Sequence, residues 1–325
     1  MTLRNLITLT AAVALLAGTA HAQTTVLLDD SFADGSRAET SLPTESATYL
    51  GVSGDAVADA ADTVVGAIKH RFLHNPVIGT TPIPSTSSRK QWTYFTDNQA
   101  TPVVLNDGDS IKGSFSFIPR EELFTEDGRD LRFGLFYDAP GADPRVEADV
   151  NSDSGNGAWG DSPGYQVQFQ VTDVAANSNP MRVGKRDDFS NSSLLGSSGA
   201  YTFDSSGGDP FMNTLDTEYR MELTVEKLSA TQAEVTASLF EGMTLLSTVS
   251  AIDDSVTDMF GGNAANGMPI YDSFDQLAMR FSGTGSGALA LDITNQYVEV
   301  TRIPEPATIA LGLLALAPLG LRRRG

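Results

Sequence analysis

The sequence predicts an all-β protein, an antiparallel two-sheet β-sandwich, and three observations carry that expectation. The first is period-two alternation. In Gly164 to Thr172 the apolar Tyr165, Val167, Phe169 and Val171 fall on one face and Gln166, Gln168 and Gln170 on the other. In Glu218 to Lys227, Tyr219, Met221, Leu223 and Val225 oppose Arg220, Glu222, Thr224 and Glu226. Both patterns describe sheets with one face in water. The second observation is the lack of helical periodicity anywhere between the two chain ends. The third is a succession of short β-branched and aromatic runs bounded by Gly, Pro, Asn and Asp clusters, with no internal repeat of the propeller or solenoid kind.

Taken in order, Thr25 to Asp29 opens as a short strand and Asp29 to Gly35 follows as a turn. Tyr49 to Val52 is the clear strand of the polar stretch that comes next. Thr63 to Leu73, Gln91 to Thr96, Ser110 to Ile118 and Leu131 to Tyr137 form a stronger set, the third introduced by the tight-turn signal Asn106-Asp107-Gly108-Asp109. Asp138 to Pro163 reads as glycine-rich loop. After the two alternating strands, Glu234 to Phe240, Leu245 to Val249, Gln276 to Ser282 and Leu289 to Val300 complete the set.

Both ends read as targeting segments. Arg4, the apolar run Leu6 to Leu16 and Ala20-His21-Ala22 make a signal peptide over residues 1–22 that is cleaved between Ala22 and Gln23. Residues 23–302 are then one β-sandwich domain and residues 303–325 a tail. In the tail, Pro304 and Pro306 lack backbone donors and stop the last strand. Ala307 to Leu321 carries no charge and favours a helix of roughly 22 Å at about 1.5 Å per residue. That is short for a bilayer core of about 30 Å, a difference met by thinning and by snorkelling of Arg322, Arg323 and Arg324. The arginines stay cytoplasmic by the positive-inside rule, leaving the body on the other side.

Pro304-Glu305-Pro306, an apolar helix and Arg322-Arg323-Arg324, in that order, resemble the PEP-CTERM sorting signal of Gram-negative bacteria. The resemblance covers only this tail. It implies recognition in the inner membrane by an exosortase, a cysteine transpeptidase-like enzyme, after transient insertion of the C-terminal helix. It also implies release toward the cell surface or extracellular matrix. The tail residues are thus a recognition site on a substrate, not catalytic groups of this chain.

Composition limits the partners. The 325 residues carry 21 basic and 41 acidic side chains, a formal charge of −20, and removal of Arg4 and the terminal arginines makes the mature chain more acidic still. Such a field repels nucleic acid and offers nothing to anionic membrane surfaces. With no cysteine, disulfide and thiol chemistry are excluded.

A second resemblance covers the body. Asp30 to Gly35, Leu131 to Phe136 and Phe274 to Phe281 look like the skeleton of concanavalin A-like, laminin-G-like jelly rolls. That likeness implies a concave sheet that often binds carbohydrate, and no conserved chemistry. Retaining glycosidases on such folds line up three carboxyls at period two. Here Glu147-Ala148-Asp149-Val150-Asn151 places an amide at the third position, so the general acid is missing. No cofactor is required. A structural calcium would draw on Asp149, Asn151, Asp153 and Asp161, although Ser154 and Gly160 break an EF-hand register, and Asp29, Asp30 and Asp34 form a separate acidic cluster. His70 and His74 are too few for zinc and read as a surface pair. Sugar recognition combines aromatic faces with planar polar groups, and the candidates are Trp159, Tyr165, Gln166, Gln168 and Arg132, with Trp92 and Tyr201 beside them. Trp159 leads because its loop is polar and offers little core.

The leading function is therefore an exported, exosortase-sorted, non-catalytic sandwich that binds or structures extracellular polysaccharide. A structural or adhesive matrix protein with protein partners is the alternative, and a glycoside hydrolase the third.

Overall fold

The computed structural model describes residues 21–53, 63–72, 88–120, 131–140, 144–150, 159, 162–169, 180–189, 194–196, 200–203, 207–211, 213–255, 268–282 and 289–304. Leu73, His74, Asn151, Asp153, Asp161, Ala20, Glu305, Pro306 and the terminal arginines lie outside them, as does the expected C-terminal helix. Among the described residues no helix is long and apolar enough to cross a membrane.

Two compact units are present: Val26–Val300, and a unit of the two ends, Met1–Thr25 with Thr301–Gly325. In the end unit the hydroxyls of Thr24 and Thr301 lie 3.0 Å apart. In the main unit the strands are β1 (Gln23–Asp30), β2 (Thr48–Ser53), β3 (Thr63–Val64), β4 (Ala67–Phe72), β5 (Ser88–Tyr94), β6 (Val103–Val104), β7 (Ser110–Pro119) and β8 (Leu131–Phe136). They continue as β9 (Gly164–Phe169), β10 (Met181–Arg186), β11 (Tyr201–Phe203), β12 (Tyr219–Ser229), β13 (Gln232–Glu241), β14 (Thr244–Asp254), β15 (Ser273–Phe274), β16 (Gln276–Ser282) and β17 (Leu289–Arg302). An eight-stranded sheet runs β14-β13-β12-β7-β17-β4-β3 with β1 on β17, and a seven-stranded sheet runs β11-β10-β9-β8-β16-β5-β2. The small pair β15-β6 stands apart. This is the antiparallel sandwich that the alternation predicts.

The expected strands are present, with three differences. The run from Thr63 is two strands rather than one, because Val65 and Gly66 turn the chain, Gly66 at a φ of 80° that an L side chain resists. Strands β10 and β11 went unread, since Met181–Arg186 mixes two arginines, a lysine and a glycine into an apolar run. The third concerns solvent. Strand β12 has the wet face its sequence predicts, alternating buried and half-buried, whereas every residue of β9 is buried.

Between the sheets, Tyr219, Met221, Leu223 and Val225 of β12 sit opposite Phe117, Phe115, Gly113 and Ile111 of β7 in the same layer. From the other sheet, Phe133 meets Phe115 edge-on at 4.8 Å and Phe169 meets Phe117 at 5.7 Å. At Gly113 a Cβ would come within 2.7 Å of Leu277, so the glycine admits the facing sheet. A polar chain crosses this layer: His70 Nε2 lies 2.9 Å from Gln91 Oε1, Gln91 Nε2 donates to Gln296 Oε1, and Gln296 Nε2 to Thr48 Oγ1 at 2.6 Å. His70 is thus buried, not a surface group, because β4 turns it toward Gln91.

One ion pair ties the sheets at their far side. Lys185 of β10 and Asp253 of β14, each 2% exposed, meet at 2.9 Å. Lys185 Nζ also donates to the carbonyls of Met268 and Pro269, and Tyr165 donates its hydroxyl to Asp253. Burial nevertheless pushes the Asp253 carboxyl above its ordinary range, against the pull of Lys185 and Tyr165. Removing one partner leaves a buried charge alone. The change Asp253→Ala is expected to cost about 3–5 kcal/mol of stability, whereas Lys185→Met with Asp253→Leu costs far less, as measured by urea unfolding.

Asp30 gives a second prediction. Its Oδ1 accepts from Phe32 N at 2.7 Å, closing the turn after β1, and burial followed by the charges of Glu45 and Asp34 pushes its carboxyl up to about 6. A raised carboxyl binds its proton more tightly in the folded chain, so its ionisation costs stability above about pH 6. The cost is relieved as pH falls toward the unfolded value of 3.8. Asp30→Asn should therefore gain on the parent at pH 7.5, by up to about 3 kcal/mol. The two urea midpoints should converge near pH 4.

Candidate functional site

The outer face of the seven-stranded sheet, the one turned away from β12, is built by register. Pairing of β5, β16, β8, β9 and β10 places Lys90, Arg280, Arg132, Gln168 and Arg182 in one row across the sheet. The adjacent row, two residues along each strand, reads Tyr49, Trp92, Ala278, Gly134, Gln166, Gly184 and Phe203. A row of cations thus lies beside a row of aromatic, amide and small residues.

A short segment lies over these rows. Leu195 O accepts from Nη1 of both Arg132 and Arg280, at 2.9 and 3.1 Å, and Gly196 O accepts from the amides of Gln166 and Gln168. Arg182 donates Nε and Nη2 to Gln168 Oε1 and stacks on Phe203, 3.9 Å from the ring centroid. Gly184 leaves room for that ring, since a Cβ there would meet it at 2.5 Å. Tyr201 donates to Leu194 O, and burial raises its hydroxyl while the fields of Arg186, Arg132 and Arg280 pull it down. The guanidinium charges therefore converge on this part of the face.

The sequence-derived site residues divide cleanly. Arg132, Gln166 and Gln168 share the outer face, and Arg132 is the register partner of Gln168. Tyr165 points the opposite way, into the layer between the sheets, where its hydroxyl meets Asp253. Trp159 corrects the expectation of an exposed indole: it is fully buried, edge-on to Trp92 at 4.9 Å, with Lys90 5.2 Å from its centroid. Its loop is polar, but β5 and β8 supply Trp92 and Phe136 as core beneath it. Gln166 and Gln168 are likewise 0% and 1% exposed, because the Leu194 to Gly196 segment covers what alternation assigned to water. Arg182 and Arg280 were missed. Their signal was present in the period-two positions of Met181-Arg182-Val183 and Met279-Arg280-Phe281.

The acidic motif after Pro144 has a structural task. Asp149 takes both oxygens to Arg37, at 2.8 and 2.5 Å, and accepts from Leu50 N at 2.9 Å, while Val150 bridges Gly51 in parallel. A carboxylate held by a two-pronged guanidinium is a poor general acid and a poor calcium ligand. Asn151, Asp153 and Asp161 lie outside the described residues. In the amino-terminal acidic cluster, Asp34 accepts from Ser36 N and Asp29 from the Asn295 amide, so turns and strand contacts engage it. Among the described residues no group of three or more His, Cys, Asp or Glu is placed to hold a metal ion. Further along the outer face Asp275 pairs with Arg145 at 2.7 Å and accepts from Asp138 N, although burial pushes its carboxyl up to about 6.

No family model and no curated protein matches the chain. Among solved structures it is similar to peanut lectin at 14% identity, covering 87% of this chain and all of that one with a TM-score of 0.40. Basic winged bean lectin matches at 15% identity over 87% of this chain and all of that one, TM-score 0.40. Lectin I from Ulex europaeus, in complex with a methyl glycoside of α-L-fucose, matches at 12% identity over 86% and 98%, TM-score 0.42. The sandwich assignment stands on the strand pairing described above.

Proposed function

We propose that this protein is exported through its N-terminal signal, sorted by its C-terminal tail to the cell surface or matrix, and acts there as a non-catalytic polysaccharide-binding sandwich. The observation that carries the binding reading is the register that sets Arg132, Gln166 and Gln168 side by side, next to Trp92 and beneath Trp159. Planar donors beside aromatic faces suit sugar rings and their hydroxyls. The non-catalytic reading is supported by Asp149, whose engagement with Arg37 removes the carboxylate a hydrolytic motif would use. A matrix component with protein partners is the second reading, favoured by Glu222, Glu226 and Glu234 on the solvent side of the eight-stranded sheet.

Two experiments separate these. Affinity electrophoresis of the purified protein through gels holding individual polysaccharides, with calcium and with chelator, is expected to show selective retardation. Uniform migration in every gel would leave the matrix reading as the better account. For sorting, intact-mass analysis of protein from the producing cells is expected to give an N-terminus at Gln23 and loss of the segment after Pro304-Glu305-Pro306. A chain carrying Glu305→Ala and Pro306→Ala should keep its tail and stay with the inner membrane.

A further inference from the structure

Charge is divided between the two sheets. No aspartate or glutamate occurs in any described strand of the seven-stranded sheet, in a protein with 41 acidic residues. The eight-stranded sheet carries them instead, Glu222, Glu226, Glu234, Glu241 and Glu299 among others. In the acid-free sheet, Arg280 and Arg132 are directly opposed across β16 and β8, with Arg182 two strands further on. Like charges opposed across strands about 4.8 Å apart cost stability. Arg132, Arg182 and Arg280 are each half-buried, so their heads reach solvent. The Nη1 atoms of Arg132 and Arg280 already converge on one oxygen, that of Leu195.

A second observation points to a ligand. Trp159 Nε1, Gln166 Oε1 and both amide atoms of Gln276 are buried on or over this same face with no hydrogen-bond partner in the protein. Buried polar atoms are otherwise almost always paired.

Resting on the polysaccharide reading above, we propose that the ligand of this face is an acidic glycan, bearing a carboxylate or sulfate on successive sugars. Arg132, Arg182 and Arg280 hold its anionic groups, and Gln166, Gln276 and Trp159 meet its hydroxyls. A guanidinium is planar, weakly hydrated and matched to two-oxygen anions, which a row of lysines would not be. Charges repeating once per sugar suit cations repeating across strands. The surrounding negative field disfavours polyanions that cannot reach the row.

The test uses the full-length protein in gels containing a polyuronate, a sulfated galactan or a neutral β-glucan, at low and at physiological salt, with single-stranded DNA binding measured alongside. Acidic polymers are expected to bind about tenfold or more tighter than the glucan, to weaken with salt, and to lose about tenfold in Arg132→Gln and in Arg182→Gln. Cooperative thermal unfolding of each variant shows that it is folded, and whichever acidic polymer binds tighter identifies the anionic group. Equal, arginine-independent retardation by the glucan overturns the acidic class and leaves the polysaccharide reading standing. Retardation in no gel overturns both. DNA bound as tightly as the glycans marks a general polyanion surface and overturns the proposal too.

Discussion

A sheet buried on both faces must find partners for polar side chains on each, and that constraint shapes this protein. One face of the seven-stranded sheet is the apolar layer of the sandwich, where Phe133 and Phe169 meet Phe115 and Phe117. The other carries arginines and glutamines that water would ordinarily serve. The carbonyls of Leu195 and Gly196 serve four of them, and Trp159 caps Trp92 beside them. Covering segment and sheet are therefore interdependent: the loop is held by the side chains it satisfies.

The pair Lys185 and Asp253 extends that dependence across the layer. It joins β10 to β14, which is an edge strand of its sheet, and it draws in Tyr165 and the chain at Met268 and Pro269. Ion pairs of this kind add little net stability, because desolvation offsets their attraction, but they penalise any arrangement that separates the partners. Without disulfides, such contacts together with the apolar layer hold the two sheets in register.

Separation of charge between the sheets gives one molecule two surfaces of different character. The acidic side keeps an exported chain soluble and apart from its copies. On the other side the arginines are concentrated where no strand carboxylate neutralises them, so recognition and solubility are assigned to opposite faces of one fold.

Alternation at β12 and the turn Asn106 to Asp109 were legible because both are local. Side-chain period and turn chemistry depend on neighbours along the chain, and the structure returns them, with Gly108 at a φ of 87° and Asp109 N bonded to Asn106 O. Chemical type was legible too: Arg132, Gln166 and Gln168 were chosen for what their groups can do, and they share one face. Sequence by itself thus determined the β character, the strand periods, the acidic charge and the motifs at the two ends. Burial and company were decided only in three dimensions. Trp159 and Gln166 are buried because segments distant in sequence lie over them, His70 because β4 faces Gln91, and Arg182 joins Arg132 and Arg280 because antiparallel register brings their strands together. The physical reason is that hydrogen-bond pairing between strands acts across any separation along the chain, whereas periodicity records one strand at a time.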